Sequence, residues 1–165
     1  MSTQNCYVMD TCSLIELRQK NPMDIYETVW ARLGSLVDNG FLISPIEVKR
    51  EVHAVDEDIR KWLLRNDKMF VPLDEAQMKK MFEIQAQFPA LADPEKETPV
   101  ADPFVISLAL TKDPRPTFDT FGTERVVVSE EKLKGNRIRI PFVCQYYGVK
   151  WMSVFDMFRT EGWKF

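Results

Sequence analysis

Cys6-Tyr7-Val8-Met9-Asp10-Thr11-Cys12-Ser13-Leu14-Ile15 carries the main architectural signal of the chain. A short apolar run that stops at an acid reads as a buried strand. The next residues, Asp10 to Ser13, are helix-capping types placed ahead of Leu14-Ile15-Glu16-Leu17, so a helix follows at once. The same strand-to-helix grammar returns at Phe41-Leu42-Ile43, which runs through Ser44-Pro45 into a helix carrying Ile46, Val48, Val52 and Val55. It returns at Met69-Phe70-Val71, ahead of a helix from Glu75 to about Phe88, and Val126-Val127-Val128 is the strongest strand signal. Further helices are expected over Met23–Val37, stopping at Asn39-Gly40, over Asp56–Arg65 and over Ala101–Leu110. The segments Pro89–Pro99 and Asp113–Thr123 read as loops. Toward the end, Ile138-Arg139-Ile140 suggests a short final strand, Pro141–Tyr147 a short helix, Gly148 a break and Ser153–Glu161 a terminal helix. Short apolar strands alternating with helices predict an α/β fold, a central parallel sheet of four to five short strands covered by helices. No internal repeat interrupts it, and residues 1–165 read as one domain.

Composition narrows the function. With 165 residues, 45% hydrophobic and 28% charged, the chain has the balance of a globular protein with one substantial core, not of a disordered one. It contains no run of about 18 apolar residues that would cross a membrane and no basic, apolar leader, so a cytoplasmic protein without a membrane partner is expected. Three cysteines without paired spacing fit a reducing compartment, and a single histidine, His53, argues against a His/Cys zinc site. The net charge of −3 excludes binding nucleic acid through a general excess of positive charge. Any grip on nucleic acid has to come from a local basic patch, or from metal ions offsetting clustered carboxylates.

Such carboxylates fall at informative places. In an open parallel sheet, ligands bind beyond the carboxyl ends of the strands. Asp10 ends the first strand, Ser129-Glu130 follows the Val126–Val128 strand, Asp102 opens a helix, and Glu47 and Glu51 share a helix face one turn apart. Carboxylates brought together repel unless a cation offsets them, and hard oxygen donors favour Mg²⁺ or Mn²⁺. Two such ions about 4 Å apart can stabilise both oxygens of a phosphodiester cut, and a bound ion acidifies its water without a histidine base. Each acid also has a plain structural use. Asp10 and Asp102 suit helix caps, Glu47 and Glu51 a solvated helix face, and Glu130 and Glu131 the start of a helical turn.

The ordered set Tyr7-Val8-Met9-Asp10-Thr11-Cys12-Ser13, Ile43-Ser44-Pro45 with Glu51, Ala101-Asp102-Pro103, Val127-Val128-Ser129-Glu130 and Ile140-Pro141-Phe142-Val143-Cys144 resembles the PIN-domain superfamily. Within it, the chain looks like a little-characterised bacterial branch, and the likeness runs from Tyr7 to about Phe158. The resemblance implies a three-layer sandwich and Mg²⁺- or Mn²⁺-dependent endoribonuclease activity. It also implies the toxin role of a toxin–antitoxin pair, with RNA as substrate and a cognate antitoxin or a second copy of the chain as partner. By position Asp10, Glu51 and Asp102 match the family's core acids, and Glu130 the fourth, commonly Asp. Ser13 matches a frequent polar residue, and Ser13, Ser129 and Lys132 are the expected substrate contacts. Glutamate at the fourth position is a departure, since the longer side chain moves any ligand outward. The low basic content is another, answered in part by Arg125, Lys132, Lys134, Arg137 and Arg139 around the expected site.

Two other readings compete. One is a PIN-like scaffold with impaired catalysis that binds protein or RNA, for which the aromatic end of the chain (Trp151, Phe155, Phe158, Trp163, Phe165) offers a surface unless it packs on the core. The other is phosphoryl transfer with Asp10 as nucleophile. It ranks last because no aspartate stands two residues on and no glycine-rich phosphate loop is present.

Overall fold

The computed structural model describes residues 4–53, 57–91, 100–111 and 123–165. Its five strands are β1 (Gln4–Met9), β2 (Leu42–Pro45), β3 (Phe70–Val71), β4 (Thr123–Val128) and β5 (Trp151–Met152). All pairings are parallel, in the order β3-β2-β1-β4-β5. The α/β fold with a parallel sheet is therefore as expected. Among the described residues the helices are α1 (Thr11–Lys20), α2 (Glu27–Asp38), α3 (Ile46–His53), α4 (Glu57–Arg65), α5 (Glu75–Gln87), α6 (Asp102–Leu110), α7 (Ile140–Tyr147) and α8 (Val154–Thr160).

The central strands are apolar because both of their faces are covered. Tyr7, Val8 and Met9 of β1 and Val127 and Val128 of β4 have no solvent exposure, the pattern of strands in a buried parallel sheet. The helix α6 packs across β2, β1 and β4, with α5 and α7 against it. That position explains why its sequence is apolar around the whole circumference, without a polar face. On the other helices a sided pattern survives, as in α2, which buries Val29, Trp30, Leu33, Leu36 and Val37.

Three places depart from the sequence reading. Ile138-Arg139-Ile140 forms no strand; Ile140 is the first residue of α7, where Pro141 has its φ already set for a first helical turn. The last strand is Trp151-Met152, whose two residues are too few to show any periodicity. The expected helix over Met23–Val37 starts later, at Glu27. Of the expected loops, Pro89–Leu91 is a 3₁₀ turn and Thr123 opens β4, while 92–99 and 112–122 lie outside the described residues, as do Val55 and Asp56. No helix among the described residues is long and apolar enough to cross a membrane.

Strand order alone fixes where a ligand would sit. The order reverses between β1 and β4, since the chain leaves β1 toward β2 on one side and returns to β4 on the other. The carboxyl ends of these two strands flank the crevice of such a sheet. Their pairing runs in full register from Gln4↔Thr123 to Met9↔Val128, so the next residues, Asp10 and Ser129, emerge side by side.

Candidate functional site

Two serine hydroxyls lock the rim of the sheet. Ser44 Oγ donates to the Met9 carbonyl at 2.7 Å, and Ser13 Oγ donates to the Val128 carbonyl at 3.1 Å. Both serines are fully buried, so Ser13, expected to touch substrate, instead ties α1 to β4. A buried hydroxyl needs a partner, and the last carbonyl of a strand is the nearest one offered.

Above this rim stands Asp10, 2% exposed. One oxygen accepts from the Thr11 backbone N–H at 2.7 Å; the other accepts from Cys12 Sγ at 2.9 Å and Ser129 Oγ at 3.2 Å. All three donors are neutral. Burial, with the nearby charges of Glu131 and Glu51, pushes the Asp10 carboxyl up to about 6 against the opposing pull of its hydrogen bonds. The Cys12 and Cys144 thiols are raised as well, chiefly by burial and then by the charge of Asp10. The negative charge of Asp10 is thus felt by the two thiols nearest the rim.

Three acids share this place. Oxygens of Asp10, Asp102 and Glu131 all lie within 4.8 Å of one another. Asp102 arrives as the first residue of α6. Glu131 arrives from the turn after β4: its backbone N–H donates to Ser129 Oγ at 3.2 Å, and its carboxylate accepts from the Ile140 N–H, at the start of α7, at 3.0 Å. Ser129, 2% exposed, therefore joins Asp10 to the backbone of Glu131. It positions the acids; it is not an open substrate contact.

The other expected acids lie next to this cluster. Glu130 Oε1 accepts from the Val154 N–H at 2.8 Å, beside the α8 cap Ser153; the acid of this turn that joins Asp10 and Asp102 is its neighbour, Glu131. A residue after a strand points away from the one before it, and the sequence alone left either orientation open. Glu51 uses both oxygens as a brace, one accepting from Thr11 Oγ1 at 2.6 Å and one from the Ala101 N–H at 2.8 Å. Thr11 adjoins Asp10 and Ala101 adjoins Asp102, so one carboxylate fixes the spacing of two others. Glu47, a turn earlier, is buried with its Oε2 lacking a hydrogen-bond partner, and it stands outside the cluster of three.

Beside the acids opens a shallow cleft of about 290 Å³ lined by Cys12, Glu130, Glu131, Lys132, Lys134 and Arg139. Lys132, expected from sequence near the site, is there, and Lys134 and Arg139 join it. Arg125 is not. It sits near the start of β4, far from the rim, and its guanidinium closes the end of α6 by donating to the Leu108 carbonyl at 2.7 Å. Arg137 is exposed on the same turn but does not line the cleft.

Over residues 7–165 the sequence matches the family described as Domain of unknown function (DUF4411). The chain belongs to that family. The matched range runs from the second half of β1 through α8, and includes every acid of the rim. Comparison with curated proteins and with solved structures found no match.

The donor set can be tested against a metal on its chemistry. It consists of carboxylate oxygens, with neighbouring hydroxyls, and no imidazole takes part, which suits Mg²⁺ or Mn²⁺ and not zinc. Among the described residues no lysine or arginine pairs with Asp10, Glu51 or Glu131, whose partners are backbone N–H groups, hydroxyls and one thiol. Buried charge without a counter-charge is costly. A divalent cation held by these oxygens would supply such compensation for Asp10.

Proposed function

We propose that this protein is a metal-dependent endoribonuclease in which Asp10, Asp102 and Glu131 hold Mg²⁺ or Mn²⁺, with Glu51 bracing Asp10 and Asp102 from behind. The observation that carries the reading is the meeting of the three acids within 4.8 Å at the switch point of the sheet, with Asp10 buried and met by neutral donors. The divalent ion, when bound, supplies charge compensation and the acidification of water that phosphodiester hydrolysis requires. The chain's own residues do the rest. Ser129 orients Asp10 and Glu131, while Lys132, Lys134 and Arg139 give the phosphates of a bound strand a positive edge beside the acids. That local edge is how a chain of net charge −3 attracts a polyanion.

The resemblance of the ordered motifs to PIN-domain proteins supports RNA as the substrate. On the same ground we assign the toxin role of a toxin–antitoxin pair, restrained by a cognate antitoxin in the cytoplasm. The experiment is cleavage of mixed single-stranded RNA with EDTA, Mg²⁺ or Mn²⁺, run on wild type and Asp10→Asn. Cleavage that needs the divalent ion and disappears in the variant is expected. Equal cutting by both proteins would end the proposal.

A second reading has one observation in its favour. Asp10 caps α1, Glu131 caps α7 and Glu51 holds the N-terminal end of α6, so the acids have structural uses of the kind a scaffold would keep. Thermal melts separate the two, since only a metal site gains melting temperature with added Mn²⁺.

A further inference from the structure

Beyond the acids, the molecule exposes a second surface of mixed chemistry. Tyr26, Phe155, Phe158, Trp163, Phe165 and Arg159 line a shallow groove of about 260 Å³. Phe158 is buried at its base and tilted or edge-on to Phe155, Trp163 and Phe165 at ring separations of 6.1, 5.3 and 5.7 Å. The upper rings reach water: Tyr26 is 40% exposed, Phe155 44% and Phe165 59%. Cations stand over them, with Lys20 Nζ 5.5 Å from the Phe155 ring and the Arg32 guanidinium 5.1 and 5.8 Å from Phe165 and Trp163. Lys20 pairs with Glu16 at 2.5 Å and Arg159 with Asp156 at 2.8 Å, whereas Arg32 has no carboxylate partner among the described residues.

One hydrogen bond links the groove's helix to the turn that carries the acidic rim. That helix, α8, starts at Val154, whose N–H is held by Glu130, and Glu130 precedes Glu131 of the cluster. Phe155 is the next residue. From there the groove follows α8, seven residues or about 10 Å long, down to Trp163 and Phe165.

We propose that this groove is a binding track for single-stranded RNA, leading a few nucleotides of the substrate toward the acids with bases against Phe155, Phe165 and Trp163 and a phosphate near Arg32. The proposal rests on the nuclease reading for its direction but not for its chemistry. Exposed rings interleaved with cations are the surface that sequence-tolerant single-strand binders use, because every base has a π face to stack and every linkage a charge to pair. An acidic partner would answer the cations but leaves the planar, open rings unexplained, whereas a nucleic acid strand answers both.

The test measures binding apart from cleavage. A fluorescein-labelled single-stranded oligoribonucleotide of mixed sequence is titrated by anisotropy in EDTA, with a hairpin-stem duplex as comparator. Phe155→Ala combined with Phe165→Ala should weaken single-strand affinity about 10-fold or more and leave duplex affinity unchanged. Arg32→Ala should lower the affinity and flatten its salt dependence. Because both phenylalanines are exposed, folding should survive; Phe155→Trp with Phe165→Trp guards the point and should bind like wild type. Unchanged affinity in the alanine pair overturns the proposal. So does failure of wild type to bind RNA while sedimenting as a dimer that the alanine pair dissociates, which gives the groove to a second copy of the chain. The nuclease reading fails separately: RNA held in the groove but never cut with Mn²⁺ leaves the track standing, and RNA cut equally well by the alanine pair removes the track alone.

Discussion

The solvent face of α5 and the rim above β1 and β4 handle negative charge in opposite ways. On α5, Glu75 has Lys79 one turn away at 3.6 Å, and Lys80 pairs with Glu83 at 2.9 Å. These pairs are local, exposed and complete within one helix, and they contribute little because water already solvates each partner. At the rim, Asp10, Asp102 and Glu131 come from three separate segments and converge, Asp10 buried and the other two half-buried. A carboxylate beside a lysine on the surface is finished by its own helix, whereas the rim acids are brought together by the fold and lie against one another.

The contrast can be broken most directly at Asp10. Asp10→Asn should lower Mn²⁺-dependent RNA cleavage by at least about 100-fold, more than loss of a supporting group costs, and abolish the rise in melting temperature on adding Mn²⁺. Cleavage assays and thermal melts on the same preparation check both.

The next effect is in pH. The carboxyl of Asp10 is raised from its ordinary 3.8 to about 6, so the folded state binds its proton more tightly than the unfolded chain does. The stabilisation is therefore complete below pH 4 and is lost as pH climbs through about 6. The metal-free protein should lose up to about 3 kcal/mol from this one group across that window. Denaturant melts at a series of pH values should show the loss in wild type and not in Asp10→Asn. Saturating Mn²⁺ should restore the stability at neutral pH. A variant with the wild-type pH profile would show that the buried charge is already compensated.

Two adjacent glutamates sharpen the comparison further. Glu131→Gln should impair metal binding and cleavage, whereas Glu130→Ala should leave both nearly intact. The second change leaves the N-cap Ser153 in place but removes the acceptor of the Val154 N–H at the start of α8, and should cost about 1 kcal/mol, a melting shift of roughly 2–4 °C. Equal loss of activity in the two variants would erase the distinction between them. At the small end, Lys79→Ala on α5 should change stability by less than about 0.5 kcal/mol, as judged by the same melts.

Individual residues show what was legible. Asp10 could be placed from sequence because strand-end acids in a parallel α/β fold have one address, and Asp102 because Ala-Asp-Pro opens a helix. Glu130 and Glu131 could not be told apart, since which neighbour turns inward depends on where α7 and α8 begin, far along the chain. Position in the motif marks Ser13 as a substrate contact, yet its buried hydroxyl donates to the Val128 carbonyl, a partner 115 residues away that local pattern does not specify. Arg125 belonged by sequence to a basic segment near the site, but the length of β4 carries it to the far end. The aromatic tail divides: Phe158 is core, Phe155 and Phe165 are surface.

The sequence by itself determined the alternation of strands and helices, and hence a buried parallel sheet, because hydrophobic period and capping chemistry act over a few residues at a time. Only the tertiary structure decided which acids meet, which glutamate merely closes a helix, and that rings and cations share one groove beside them. These are distances between side chains far apart in the chain, set by packing against a common core, and local pattern holds no record of them.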